Sequence, residues 1–312
     1  MFLDLLRIIL SMGIPCCLLA FGVFLTFRIL DFADMTAEGS FLIGAAVTAV
    51  SINAGINPFL ATFFGMLGGA ACGFITGILN RLLKIPKLLS GIITMTATGS
   101  IALLLFGIQK ENTAFAADIN VENGTIFNLL PASVFKGWQI IIISAVVVAI
   151  VIAVCYFFFG TEYGMAIRAT GMNENMSKAQ GINTTITTIT CVAISNALIG
   201  LAGSLTAQTD KYVSVQSATG YLVVGLASIL LGETIFGNRS FKNSLISICL
   251  GTVLYFTIIS MATFVFNMPT EMNKVLYAVL IILALCSPMI KKGIITLWFK
   301  IFPKKEIKKE EN

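Results

Sequence analysis

Apolar runs alternate with short polar segments along the whole chain, at about 8–27, 39–53, 57–79, 88–108, 138–159, 185–208, 218–236, 243–266 and 274–290. A helix needs about 20 apolar residues to cross a hydrocarbon core about 30 Å thick, and most of these runs meet that length. The ten-residue alternating segments of an outer-membrane barrel are absent. The pattern predicts an all-α integral membrane protein, a polytopic bundle of about nine transmembrane helices (eight to ten). The run at 39–53 is short for a span, and that at 218–236 contains Gly225, Gly232 and Glu233, so either reads as broken or re-entrant.

The longest water-compatible run in the middle of the chain is Gly160–Asn183, GTEYGMAIRATGMNENMSKAQGIN. Within it Met165, Ala169, Met172, Met176 and Ala179 recur at helical spacing, which places them on one face, while Glu162, Arg168, Glu174 and Lys178 fall largely elsewhere. Gly164, Gly171 and Gly181 allow turns or close backbone approach, so two short helices are expected rather than one. An amphipathic element between two spans must bury its apolar stripe. It either lies on its own spans or lipid headgroups, or it docks into a partner protein.

Composition agrees with the membrane reading. Of 312 residues, 57% are hydrophobic and 11% charged, with a mean hydropathy of +0.94; a soluble domain carries roughly 25% charged residues. The opening MFLDLLRIIL has no basic start and no small-residue cleavage site, unlike a cleaved signal. Seven cysteines lie in apolar spans without a C-x-x-C pair, and there is no histidine. The expectation is packing rather than disulfides, no metal site, and no histidine acid–base chemistry.

Lysine and arginine then suggest an orientation. One set of loops carries Arg28, Arg81, Lys84, Lys87, Arg168, Lys178, Arg239, Lys242 and seven lysines from Lys291 to Lys309, and the other carries Arg7, Lys110, Lys136, Lys211 and Lys274. The positive-inside rule places the first set, with Gly160–Asn183 and the C-terminus, in the cytoplasm and the N-terminus outside. The tail 291–312 reads as a short interfacial helix followed by a solvated charged end. The outer loop 109–137 contains Asn123-Gly124-Thr125, which matches a glycosylation acceptor too short to weigh heavily.

Between the first two runs, Asp31, Asp34 and Glu38 fall within eight residues, beside Gly39 and Gly44. An ionised acid facing mid-bilayer lipid costs about 2.5–3.5 kcal/mol even on the gentler scale, so these must face water, a cavity or a cation such as Arg28. Either this is an ordinary cytoplasmic turn or it is a broken segment lining a translocation path. Gly203, Gly220 and Gly225 repeat the spacings of Gly22, Gly39 and Gly44 at an offset of 181, so that GSFLIGAA faces GYLVVGLA. On the orientation above the two copies run in opposite directions. Inverted repeats with glycine-interrupted segments are how many transporters build two gates around one site. Asn196, Gln208 and Asp210 are the polar side chains of the second copy placed to reach such a path; interhelical hydrogen bonding is the alternative for Asn196 and Gln208. This divides the chain into a permease domain 1–290, with repeats at about 8–108 and 185–290 around the 160–183 loop, and the basic tail.

No G-x-x-x-x-G-K-[ST] loop is present, so nucleotide binding by a Walker motif is not expected, and no serine triad or paired carboxylates suggest an enzyme. Nothing in the pattern suggests nucleic acid as a partner.

Thr161–Ile182, TEYGMAIRATGMNENMSKAQGI, resembles the coupling loop of ABC importer permeases of the branched-chain amino acid and ribose type, roughly T-x-x-G-x-A-x-R-A-x-G-x-N-x-x-x-A-x-x-x-G-I. Gly164, Ala166, Arg168, Ala169, Gly171, Asn173, Gly181 and Ile182 match, and Ser177 stands where alanine is usual. The segment LDFADMTAEGSF resembles the family's Asp-Leu-Ser/Thr-x-x-Gly-Ser region, with Met35 in place of leucine, and NALIGLAGSLTAQ and the Gly220–Glu233 segment also fit. The nearest subgroup is the tryptophan/tyrosine (aromatic amino acid) permeases.

The resemblance implies a bacterial plasma-membrane permease, a homodimer by inference, working with a cytoplasmic ABC ATPase and an extracytoplasmic substrate-binding lipoprotein. ATP and magnesium would sit on the ATPase, with no cofactor in this chain. Coupling to the ATPase would involve Glu162, Gly164, Met165, Arg168, Ala169, Gly171, Met172, Asn173 and Gly181. The path would be lined by Asp31, Asp34, Glu38, Gly39, Asn196, Gln208 and Gly220. The competing class is an ion-coupled secondary transporter with Asp31, Asp34 or Glu38 carrying the coupling ion; a membrane scaffold is a third.

Overall fold

In the computed structural model the described residues are 2–107, 116–119, 124–129, 138–238 and 240–266, with Val275, Val279 and Ile282 singly. The rest of the ninth apolar run, the tail, Asn123 and Cys286 lie outside them.

Helix α1 (Phe2–Phe24) widens into a π-helical turn over Leu25–Ile29, where the Leu30 N–H donates to the Leu25 carbonyl five residues back. After an irregular stretch come α2 (Thr36–Asn53), α3 (Pro58–Arg81) and α4 (Lys87–Gly107). Strand β1 (Ala116–Asp118) precedes α5 (Gln139–Gly160), α6 (Glu162–Met172), α7 (Glu174–Ala179) and α8 (Thr184–Asp210). Strand β2 (Tyr212–Ser214), a helical turn at Val215–Ala218, α9 (Tyr221–Phe236) and α10 (Phe241–Phe266) complete the described chain.

Among the described residues six helices are long and apolar enough to cross a membrane, α1 with its π turn, α3, α4, α5, α8 and α10. The two runs read as short or interrupted become α2 and α9, of 18 and 16 residues. Each follows a short non-helical entry. That entry ends at Met35 for α2 and at Gly220, in a positive-φ conformation (φ 101°), for α9. An unforeseen element is the antiparallel pairing of β1 with β2, Ala117 opposite Val213, which joins the α4–α5 connection to the α8–α9 connection. Strands of three residues are too short to leave a periodicity.

Helix α8 is the axis of the bundle. On α3, Gly65, Gly69, Gly73 and Gly77 recur every fourth residue, and a Cβ at any of them would strike Ser204, the Asn196 carbonyl, the Val192 carbonyl or Ile189 on α8. Such a small-residue stripe lets two backbones approach closely where lipid provides no hydrophobic drive. Contacts repeat under the 181-residue offset. Helix α2 crosses α8 where Gly44 lies on Gly200, and α9 crosses α1 where Gly225 lies on Leu19 and Val23. Helix α3 likewise packs along α8, and α10 along α1, where the Cys17 thiol reaches the Cys249 carbonyl. The six described cysteines are free thiols, five of them buried, as packing residues should be.

Candidate functional site

Two regions carry the polar residues. The first is a node at the middle of α8. Asn196 lies roughly 18–21 Å from either end of that helix, at 1.5 Å per residue. Its amide donates to Asp34 Oδ2 at 2.7 Å, and its carbonyl oxygen accepts from Ser40 Oγ at 2.7 Å. The Thr36 N–H donates to Asp34 Oδ1 at 2.9 Å, so the carboxylate also caps the start of α2. From there hydroxyls continue across the bundle, Thr36 to Thr76 at 2.7 Å and Thr76 to Thr94 at 2.8 Å. Asp34 is 4% exposed and Asn196 0%. Among the described residues no ion pair reaches Asp34; amide and backbone donors hold it instead.

The three acids therefore part company. Asp31 is exposed at a positive φ of 50°, and its carbonyl accepts from Lys87 Nζ at 2.8 Å. Glu38, in the first turn of α2, accepts from the Gly220 N–H at 2.9 Å, so it joins the starts of α2 and α9. Beside that junction Phe41 of α2 stacks on Tyr221 of α9 with centroids 4.1 Å apart. Arg28 is not the partner of these acids: it pairs with Glu233 at the end of α9, at 3.2 Å. Gly39 is pressed against Thr98 and Met95 of α4. Gln208 donates to Thr62 at 2.7 Å and accepts from the Ile126 N–H at 3.0 Å, an interhelical tie rather than a surface facing open space. Asn196 makes the same kind of bond, although its partner is the one buried acid. Asp34 borders a space of about 70 Å³ against Val23, Thr26, Leu222 and Leu226, and Asp210 borders one of about 20 Å³ beside Phe41 and Tyr221.

Sequence reasoning missed Thr36, Ser40, Thr76 and Thr94. A signal existed: Thr36 and Ser40 are four residues apart, as are Ser90, Thr94 and Thr98, and all five are buried on helices that otherwise present apolar side chains.

The second region is the pair α6–α7. Thr161, Asn173 and Asn183 cap the starts of α6, α7 and α8 through hydrogen bonds to Gly164 N (3.2 Å), Met176 N (3.0 Å) and Thr185 N (3.2 Å). Two short helices form as expected, but the break falls at Asn173 rather than at a glycine. Gly181 (φ 83°) ends the unit, and Gly164 and Gly171 lie inside α6 at close contacts. A Cβ at Gly164 would strike the Phe158 carbonyl, and one at Gly171 the Ile29 carbonyl. The inner face of the pair is Gly164, Ile167, Thr170 and Ser177, with Thr170 bonded to Thr187 of α8 at 3.0 Å. Glu174 of α7 bridges Arg81 of α3 at 2.6 Å and Lys178 at 2.8 Å, and Arg81 also donates to Thr188 at 2.6 Å. These bonds hold the Glu174 carboxyl down at about 2, first through Lys178 and then through Arg81, against the opposing effect of partial burial.

The methionine stripe faces the other way. Met165, Met172 and Met176 are 52%, 89% and 60% exposed, and Ala179 is exposed too, so the stripe does not lie on the chain's own spans. Glu162 and Asn173 are exposed beside it, and Ala169 is half-buried. Arg168 is drawn aside, its guanidinium 5.4 Å from the ring centre of Phe241.

The fold is that of a polytopic helical membrane protein, with a polar node buried at the middle of α8 and the capped helical pair α6–α7 beside it. The chain belongs to the family described as branched-chain amino acid transport system / permease component, whose model matches residues 5–285. It is thus the permease subunit of an ABC importer, and the family match gives no support to an ion-coupled carrier. It is 33% identical over 302 residues, 97% of each chain, to the tyrosine transport system permease protein of Clostridioides difficile (strain R20291). It is 29% identical over 234 residues, 73% of this chain and 72% of the relative, to "Probable branched-chain amino acid transport permease protein LivH" of Methanocaldococcus jannaschii. It is 26% identical over 189 residues, 60% of this chain and 49% of the relative, to the autoinducer 2 import system permease protein LsrC of Yersinia enterocolitica. No solved structure matches.

Proposed function

We propose that this permease imports an aromatic amino acid, delivered by an extracytoplasmic binding lipoprotein, and that α6–α7 is where a cytoplasmic ATPase drives it. The observation that carries the coupling role is the division of α6–α7 into two faces. One is locked onto the spans through Gly171, Ile167 and Ser177; the other leaves Met165, Met172 and Met176 uncovered. Methionine is adaptable and apolar, well suited to a surface that must grip a moving partner. ATP and magnesium belong to that partner, and two copies of this chain form the pore.

The route of force is short. Gly171 rests on Ile29 and Leu30, at the end of the π turn, and Asp34 is four residues further on. Displacing α6 bears on the entry to α2 and on the junction where Glu38 meets Gly220. Nucleotide drives the switch only by favouring one state of that junction over the other. The inverted repeat supplies the two gates, and the Phe41–Tyr221 pair gives the path an aromatic wall. The relative named for tyrosine transport supports the cargo class.

The test is Met172→Glu plus Met176→Glu. The expected result is loss of co-purification with the cognate ATPase and loss of ATP-dependent uptake in proteoliposomes, with unchanged thermal stability of the permease alone. Retention of both complex and uptake would refute the coupling role.

A further inference from the structure

Where α5 leaves the membrane and α10 enters it, a cleft of about 500 Å³ opens at the protein surface. Its walls are Tyr156, Phe157 and Phe159 of α5, Arg168 of α6, and Phe241 and Lys242 of α10. We propose that this cleft binds the headgroup of an anionic phospholipid, with the phosphodiester between Arg168 and Lys242 and the acyl chains along α5.

Three observations point to that occupant. Both cations are held on aromatic faces, Arg168 at 5.4 Å from the Phe241 ring centre and Lys242 at 4.9 Å from that of Tyr156. Cation–π contact positions a charge without cancelling it. No carboxylate lines the cleft, and among the described residues neither cation forms an ion pair. Elsewhere at this end of the bundle Arg28 is answered by Glu233, and Arg81 and Lys178 by Glu174, while Lys87 is taken up by the Asp31 carbonyl. The start of α10, a helix of 26 residues, adds the positive end of its dipole to the same space.

The level in the membrane selects a lipid over a soluble anion. The cleft is made from the terminal residues of two spans, the depth at which aromatic side chains and headgroups meet. Beneath it the outer face of α5 is apolar and uncovered through Phe157, Val154 and Ile150. A phosphodiester carries one negative charge and four oxygens, and a guanidinium and an ammonium lining the same cleft complement it. Such a lipid would brace the joint at Gly160–Thr161 from which α6 swings, and it gives Arg168 a role apart from the methionine face.

The experiment measures thermal stability and lipid retention by native mass spectrometry for the purified full-length chain. The arms are phosphatidylglycerol, phosphatidylcholine and inorganic phosphate. Phosphatidylglycerol is expected to raise the midpoint by about 3 °C or more and to be retained at least about fivefold over phosphatidylcholine, with no effect of inorganic phosphate. Arg168→Gln plus Lys242→Gln should abolish that selectivity, whereas Lys84→Gln, which removes a charge elsewhere, and Arg168→Lys should keep it. Equal binding of phosphatidylcholine, an equal response to inorganic phosphate, or an equal loss in Lys84→Gln would overturn the assignment. Should the double variant not fold, the wild-type arms decide. These readouts need no ATPase, so they are independent of the coupling test.

Discussion

The node around Asp34 and the pair α6–α7 carry comparable numbers of polar groups, but one is closed and the other open. At the node each donor finds an acceptor within the chain: Asn196 serves Asp34 and Ser40, and the threonines pass hydrogen bonds from α2 to α3 to α4. In α6–α7 Thr161, Asn173 and Glu174 are also spent internally, on caps and on the Arg81–Glu174 bridge, but an apolar face is left to water. Polar groups inside a membrane are satisfied at home because lipid offers them nothing. Apolar groups outside it stay uncovered only where something else is to cover them. On the coupling role proposed above, the difference separates what the chain does alone from what it does with a partner.

The most damaging change should be at the node. Asn196→Ala removes the one amide that serves both Asp34 and Ser40, leaving a buried carboxylate oxygen without that donor. The expected cost is about 3 kcal/mol of stability, seen as a lowered melting midpoint in detergent and reduced yield. Asn196→Asp should be at least as severe, since it puts two carboxyl groups together. A near-normal melting midpoint in Asn196→Ala would mean that the node is wet or replaceable, and the contrast between closed and open regions would fail.

The sequence announced these two regions unequally. Asp31, Asp34 and Glu38 stood out because acids are expensive in a membrane, but proximity in sequence suggested one cluster. Asp31 and Asp34 sit in the irregular entry after the π turn and Glu38 in the first turn of α2, so one is exposed, one meets Asn196 and one meets Gly220. Those partners lie more than 150 residues away, and no local pattern states such a pairing. For α6–α7 the stripe, the glycines and the polarity were all local, and both helices were legible. Which face would stay bare was not, because burial depends on Ile29, Phe158 and Thr187 packing on the opposite face. The glycine period on α3 was visible in the sequence and, read as a helix-contact stripe, would have marked that face for close packing without naming α8 as its partner.

Adjacent residues allow a finer test of the same contrast. At Gly171 a Cβ runs into the Ile29 carbonyl, whereas Met172 beside it is almost wholly exposed. Gly171→Ala should cost about 1–3 kcal/mol, as overpacking does when a backbone must give way, and should slow uptake because it moves α6 off the π turn. Met172→Ser should change stability by no more than about 0.5 kcal/mol while weakening ATPase association. If both substitutions lower the melting midpoint alike, the two faces of α6 are not distinct.

The smallest expected effect comes from the bridge that ties α7 to α3. The Glu174 carboxyl titrates at about 2 in the folded chain against an ordinary 4.5, held down first by its hydrogen bond from Lys178 and then by Arg81. A depressed acid binds fewer protons folded than unfolded, so its contribution is complete above pH 4.5 and is lost as the pH falls toward 2. The side chain is about one-third exposed (32%), and solvent screening holds the contribution to about 1 kcal/mol or less. Glu174→Gln should therefore lower the melting midpoint slightly at pH 7, and the gap from wild type should narrow below pH 4.5 and close near pH 2. Raised salt should narrow it at pH 7 as well. A gap that persists at low pH would show that the carboxylate's charge is not what ties α7 down, leaving the Asn173 cap and Ser177 packing to hold the pair in place.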